Sequence, residues 1–263
     1  MSEFTIGYLS WKKHNIIKKT LDSHRENGLF HIIPPKNRII YFQEISEEDR
    51  TIANDYELNY MGNSQNIGIL NAFIKLVEKC KTSYFIFCEN DFILMDNNFD
   101  INKTLEDVSC ILKNDLYAQI KLSNSKNPGF LYIGGGDEWL QQDQSNFRYK
   151  VESLSWIPNP RDFYRNINSV THNYEWLVFK SDDQNWSNHI HVCNTKYLKE
   201  VILPLLRYNR DYNKNLDVKY QGLEDTLIFP DKIPNPNEYI KNLIKLHSKR
   251  KIYSGGGNFY HNK

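Results

Sequence analysis

The sequence is short of cysteine, of uninterrupted apolar runs and of charge of one sign, and each shortage removes a class of protein. Cys80, Cys88, Cys110 and Cys193 are scattered singly, with no Cys-x-x-Cys pair. That excludes a disulfide framework and implies a reduced, intracellular protein. Cys80 and Cys88 sit in apolar contexts, where a free thiol packs as a small hydrophobe. No apolar run is long enough to cross a bilayer, and the chain opens polar, with Lys12, Lys13, Lys18 and Lys19. The expectation is a cytoplasmic protein with no transmembrane segment, peripheral at a membrane only through a partner or an amphipathic surface. Acids and bases are interspersed and the formal net charge is +1. Without a basic tract, nucleic acid is not an expected partner. Internal repeats and convincing linkers are missing too, so the 263 residues read as one domain. No pattern in the sequence signals an oligomeric state.

A phosphate loop is also missing. Gly134, Gly135 and Gly136 lack the strand–Gly-x-Gly-x-x-Gly–helix setting and the lysine of a P-loop. They read as a hinge or tight turn, with Asp137, Glu138 and Trp139 directly after it.

What is present begins with Tyr84-Phe85-Ile86-Phe87-Cys88-Glu89-Asn90-Asp91. The aromatic and β-branched run predicts a buried strand over 84–88. An unpaired charge inside such a strand is very costly, so Glu89 and Asp91 are expected at its exit. In a parallel sheet that is where ligands bind, and two carboxylates there can hold a divalent cation against a phosphorylated ligand. The same residues also fit a polar cap on the strand. A second acidic pair, Glu224-Asp225, follows Gly222, and reads either as catalytic or as acids favoured at a helix N-terminus. Near the C-terminus Gly255 to Gly257 lead to His261, a metal ligand or part of a frayed tail.

Periodicity predicts strands over 4–10 and 38–42, a helix over 12–24, and a stronger helix over 66–81 with Ile67, Leu70, Ile74 and Val77 on one face. This β-α-β-α-β order predicts an α/β fold with a mostly parallel, doubly wound central sheet flanked by helices. Further on, 105–113 reads as helix and 118–122 as strand. Residues 123–170, with Pro128, Pro158 and Pro160, read as loops and short strands forming a lid or acceptor surface. Strands follow over 176–180 and 190–193, then a helix over 195–207 carrying Pro204, a helix start over 226–229, turns over 230–236 and a helix over 238–246. A basic patch runs over 247–251, and within it Lys249-Arg250-Lys251 reads as solvated surface before a contact with a diphosphate. His172, His189 and His191 read as structural. Trp139, Trp156 and Trp186 read as packing rather than acceptor stacking; an aromatic content of 14% suits carbohydrate handling and an ordinary core alike.

The order of these pieces resembles the GT-A glycosyltransferases, especially the broad family 2 type, over nearly the whole chain. Glu89-Asn90-Asp91 matches the family's Asp-x-Asp, Glu224-Asp225 its Glu-Asp, and Gly257-Asn258-Phe259-Tyr260-His261 its late Gly-x-Phe-x-His. Asn66-Ile67-Gly68, with Asn71-Ala72 soon after, matches the start of the helix before the Asp-x-Asp strand. Three departures stand out. Glu89 is one methylene longer than aspartate, the first strand lacks the frequent proline, and Glu44 stands where aspartate is usual. The resemblance implies Asp91 and His261 as ligands of a divalent cation, Mn²⁺ before Mg²⁺. Glu89 would bind it directly, bind through water, or meet the ribose. It implies a nucleotide-sugar donor, UDP-sugar on family frequency, lying against Tyr8, Ser10, Glu44, Asn66, Asn71, Glu89 and Asn90. Asp225 would be the general base of an inverting transfer to a glycan acceptor on protein or lipid, with Glu224 binding acceptor or holding Asp225. Residues 1–122 would form the nucleotide-sugar half and 123–263 the acceptor and catalytic half. A sugar-phosphate nucleotidyltransferase, or an inactive binding module of the same fold, are the alternatives. The first usually has a glycine-rich basic loop after its first strand, which this chain lacks.

Overall fold

The computed structural model describes residues 3–95, 100–123, 168–180, 186, 188–215, 223–228, 230–255 and 259–261. The side chains of 214, 215, 225, 228, 260 and 261 lie outside that description. So do the glycines at 134–136, the residues that follow them, Trp139 and Trp156.

Four strands build the first half. They are β1 (Phe4–Trp11), β2 (Arg38–Gln43), β3 (Asn59–Gly62) and β4 (Tyr84–Glu89), in the order β3-β2-β1-β4 and all parallel. β1, β2 and β4 are continuous apolar runs because both their faces are covered. Ile6, Tyr8, Ile40, Phe42, Ile86 and Cys88 join one core; Tyr41, Phe85 and Phe87 join the other. Gly7 has no side chain to place. A Cβ there would stand 2.5 Å from the Phe85 ring, so this crossing of β1 and β4 needs glycine.

α1 (His14–Glu26), α2 (Leu29–Ile32), α3 (Glu47–Asp55) and α4 (Gly68–Lys79) connect these strands. α3 and β3 were not expected from the apolar pattern. α3 starts on a capping box in which Ser46 accepts from the Asp49 amide and Asp49 accepts from the Ser46 amide. Arg38 is buried where β2 begins. Its Nε donates to Ile33 O at 2.7 Å and its guanidinium lies over the Phe30 ring at 4.2 Å.

The second half makes the sheet mixed within a mostly parallel whole. β9 (His191–Asn194) runs antiparallel between β4 and β6 (Gln119–Lys121). β10 (Lys251–Ser254) is parallel to β6, and β8 (Glu175–Lys180) and β7 (Asn168–Thr171) close the edge as an antiparallel pair. Among the described residues, seven of the nine strands in this sheet point one way. α5 (Ile101–Asn114) backs the sheet, and its fully buried Asp107 holds the β7–β8 turn. Asp107 accepts from the Asn173 and Tyr174 amides, from Asn173 Nδ2 and from Trp176 Nε1, all within 2.9 Å.

The helix expected over 195–207 is longer and interrupted. α6 (Thr195–Tyr197) passes through a π segment (Leu198–Ile202) into α7 (Leu203–Asn215). Pro204 lacks an amide for the helical ladder, and the widened turn before it takes up the mismatch. α8 (Leu223–Ile228) begins before the expected 226, and α9 (Glu238–His247) follows. Of the basic stretch 249–251, Lys249 and Lys251 are exposed as expected, but Arg250 is nearly fully buried. His247 is fully buried beside Trp186. Among the described residues no helix is long and apolar enough to cross a membrane.

Outside the nine strands, β5 (Phe92–Leu94) and β11 (Phe259–His261) form their own antiparallel ribbon. One edge of β5 faces β11. Its other polar groups meet α1, whose Thr20, Ser23, His24 and Asn27 recur at i, i+3, i+4 and i+7. Thr20 Oγ1 donates to Asn90 O at 2.8 Å, His24 Nε2 reaches Phe92 O at 2.9 Å, Ser23 Oγ accepts from the Leu94 amide at 3.0 Å, and Asn27 Nδ2 donates to Leu94 O at 3.0 Å. The helix thus does for β5 what a neighbouring strand would do.

Asp107→Ala is expected to cost at least about 3 kcal/mol, because it leaves several donors unmatched, the indole N–H among them buried. Urea unfolding measures the loss, and hydrogen exchange should show faster exchange at Asn173 and Tyr174. Unchanged stability would mean that Asp107 does not hold the hairpin.

Candidate functional site

The site lies at the carboxyl edge of the parallel strands. Register places Trp11 beside Gln43, Phe42 beside Gly62 and Leu9 beside Glu89, so β1, β2 and β4 end together. Glu89 is the last residue of β4; Asn90 and Asp91 form the turn into β5. The β5–β11 ribbon sets His261 opposite Phe92, one residue from Asp91. Two motifs some 170 residues apart are therefore neighbours through the backbone, while the imidazole of His261 lies outside the described residues.

The antiparallel β9 brings in the third motif. Phe87 pairs with His191, so the segment leading into β9 lies where β4 ends. There the Asn188 amide donates to Glu224 Oε1 at 2.6 Å. Glu224 and Asp225 are the second and third residues of α8. Asp225 is placed by its backbone alone.

Charge gathers at this point. Glu89 is half-buried, and its carboxyl is pushed up to about 8, first by desolvation, then by repulsion from Asp91 and from Glu224, with Lys13 opposing. Carboxylates meeting in a partly dry edge make a site short of positive charge, which is the setting a hard divalent cation fits. Among the described residues no group of three His, Cys, Asp or Glu side chains stands ready as a metal cage. Asp91 and Glu89 are the two carboxylates at this edge, and β11 brings the backbone of His261 alongside.

The residues expected at a nucleotide divide. Ser10 is buried near the end of β1, and its Oγ has no hydrogen-bond partner among the described residues. Glu44 follows β2 with a left-handed φ of 54°, ion-pairs with Lys12 and accepts from Trp11 Nε1 at 3.3 Å. That contact with Lys12 lowers the Glu44 pKa. Asn66 Oδ1 accepts from the Gly68 amide at 2.8 Å, and Asn71 Nδ2 donates to Ile67 O while its Oδ1 accepts from Arg210. These two asparagines shape the start of α4 beside the edge. Tyr8 is different: it is fully buried and its hydroxyl is 2.7 Å from His24 Nδ1. Phe92 O can only accept, so His24 carries its proton on Nε2, and Tyr8 donates to Nδ1. Tyr8 is thereby a core residue.

Several contributors were not evident in the sequence. Gln43 Oε1 accepts from the Ile67 amide and ties β2 to the start of α4. Lys13, Asn188 and Arg210 carry no motif. Thr20 and His24 did leave a trace, as polar positions in register on an otherwise apolar helix face. His191 is buried as a structural histidine, its Nδ1 donating to His189 O at 2.7 Å, and Trp186 packs edge-on against Phe73 and His191.

No family profile matches the sequence, and no curated protein matches it. Solved structures do match. GalNAc-T7, in a crystal structure with UDP, GalNAc and Mn²⁺, overlays at a TM-score of 0.51 with 10% identity, over 98% of this chain and 42% of that one. Residues 1–349 of TarS from S. aureus match at 0.49 with 11% identity, over 98% and 60%. Glucosyl-3-phosphoglycerate synthase from Mycobacterium tuberculosis, with phosphoglyceric acid, matches at 0.49 with 12% identity, over 99% and 72%. The chain thus spans less than two thirds of TarS 1–349 and of GalNAc-T7. The GalNAc-T7 overlay shows a shared fold, the GT-A arrangement.

The buried groups set opposing pH responses. His24 and His191 are driven down to about 3 by burial, so as pH falls below about 6.5 the unfolded chain takes up protons that the fold refuses. That destabilises the fold by about 1.4 kcal/mol per histidine between pH 7.5 and 5.5. Glu89 acts in reverse: its raised pKa stabilises the fold at low pH, and that contribution is lost as pH rises through about 8. Metal-free Glu89→Gln should therefore lose stability on acidification to pH 5.5, and lose more than wild type does. Urea unfolding at both pH values in EDTA measures this. Equal pH dependence in the two proteins would contradict the assignment at Glu89.

Proposed function

We propose that this chain is a metal-dependent, inverting glycosyltransferase that moves a sugar from a nucleotide-sugar, a UDP-sugar first, to a glycan hydroxyl on protein or lipid. The observation that carries the reading is the meeting of Glu89, Asp91 and Glu224 at the carboxyl edge of a GT-A sheet, with β11 bringing His261 alongside. GalNAc-T7 of the same fold is seen with UDP, GalNAc and Mn²⁺, which supports a nucleotide-sugar and this cation here.

In this reading Asp91 and His261 hold the cation, with Glu89 beside them. The cation offsets the charge that develops on the departing diphosphate. Ser10, Glu44, Asn66, Asn71 and Asn90 line the nucleotide's place, and Tyr8 leaves that set because His24 engages its hydroxyl. Asp225, early in α8, takes the proton from the acceptor hydroxyl as its oxygen attacks the anomeric carbon. A single base and no covalent intermediate give inversion. Glu224, fixed by the Asn188 amide, orients the acceptor.

Calorimetry with UDP, GDP, dTDP and CMP, each with Mn²⁺ and with EDTA, tests the reading. One nucleotide should bind, and only with metal; Asp91→Asn should abolish that metal-dependent binding. Asp225→Asn should bind donor as wild type does and lose about 10²–10⁴-fold in turnover. Absence of nucleotide binding would sink the proposal, and release of pyrophosphate in place of nucleoside diphosphate would redirect it to nucleotidyl transfer.

A further inference from the structure

We propose that Thr20 and His24 of α1 are positioning residues that hold Asp91 in a cation-binding pose; this rests on the transferase reading above. Asp91 lies beyond the last paired residue of β4, in a turn that the main sheet does not restrain. The peptide carbonyls on either side of it are nonetheless fixed. Thr20 Oγ1 donates to Asn90 O at 2.8 Å and His24 Nε2 donates to Phe92 O at 2.9 Å. Both side chains are fully buried, and the His24 bond to Phe92 O is shielded from bulk water. The His24 ring is itself locked, since Tyr8 donates to Nδ1 from the centre of β1. On the far side of the ribbon Phe92 stands opposite His261. The peptide entering Asp91 is therefore tied to the core by Thr20, and the peptide that follows Phe92 is tied by His24.

The pattern argues for more than filling space. An apolar stripe at 20 and 24 would pack α1 equally well and leave Asn90 O and Phe92 O unmatched. The polar choice fixes the peptide that enters Asp91 and the one that follows Phe92. Partners one step behind a metal ligand usually matter to affinity, because an ordered carboxylate loses less freedom when the ion arrives.

The test is Mn²⁺ affinity, measured by calorimetry and by the electron paramagnetic resonance of free Mn²⁺, beside melting temperature. Thr20→Val removes one bond with little change of shape, and should weaken Mn²⁺ about tenfold. Thr20→Ser should restore most of the affinity, and Tyr8→Phe, which only frees the ring, should weaken it less. Thr82→Val is the control. Thr82 Oγ1 donates to Tyr84 O and lies 2.8 Å from the Thr5 hydroxyl at the opposite end of β4, so this change should lower stability and leave Mn²⁺ affinity intact. Wild-type affinity in Thr20→Val and Tyr8→Phe, with melting lowered as in Thr82→Val, would overturn the positioning role. A wild-type chain that binds no Mn²⁺ would overturn the transferase reading, and the positioning role with it.

Discussion

Strands covered on both faces tolerate no unpaired charge, and that constraint arranges the rest of this molecule. β1, β2 and β4 carry apolar groups to two cores at once. Ionisable side chains are pushed to the ends of the strands. At the amino end Arg38 survives burial by donating to carbonyls and lying on Phe30. At the carboxyl end Glu89 and Asp91 emerge together, and the first of them is still dry enough to hold its proton near neutrality.

The mixed half of the sheet turns that edge into a site. A parallel neighbour would deliver its carboxyl end there. The antiparallel β9 delivers its amino end instead, and with it the backbone amide that secures Glu224. A second relay of the same kind as Tyr8–His24 then fastens α8. Tyr197 lies 2.6 Å from His247 Nδ1, and His247 Nε2 reaches Leu227 O at 2.8 Å. Each acidic motif thus adjoins a carbonyl held by a neutral, buried histidine whose tautomer is dictated by that carbonyl. Burial keeps both rings uncharged, which lets one nitrogen donate and the other accept.

Much of this was legible where sequence and environment agree. The run ending in Glu89 and Asp91 could only be a buried strand with a polar exit, and the apolar face of α4 fixed its helix to within two residues. The edge elements were not legible. β3 is partly exposed and polar, and β5 and β11 are too short to show a period. α3 is mostly charged, and its signal was the cap Ser46–Asp49 rather than an apolar stripe. The burial of His247 and Arg250 depends on Trp186 and Tyr197, which come from distant parts of the chain. Local composition reads such residues as surface. The pairing of His261 with Phe92 was visible only as motif order, because no local preference encodes a contact across that separation.

The β5–β11 ribbon also has a meaning in time. Its two strands meet only after nearly the whole intervening chain has been gathered, and closing so large a loop yields a ribbon only three residues wide. The four parallel strands lie far closer along the chain and can consolidate first. Folding would then give a nearly complete scaffold before the ribbon docks, and competence would arrive with one of the last contacts to form rather than with the bulk of the secondary structure.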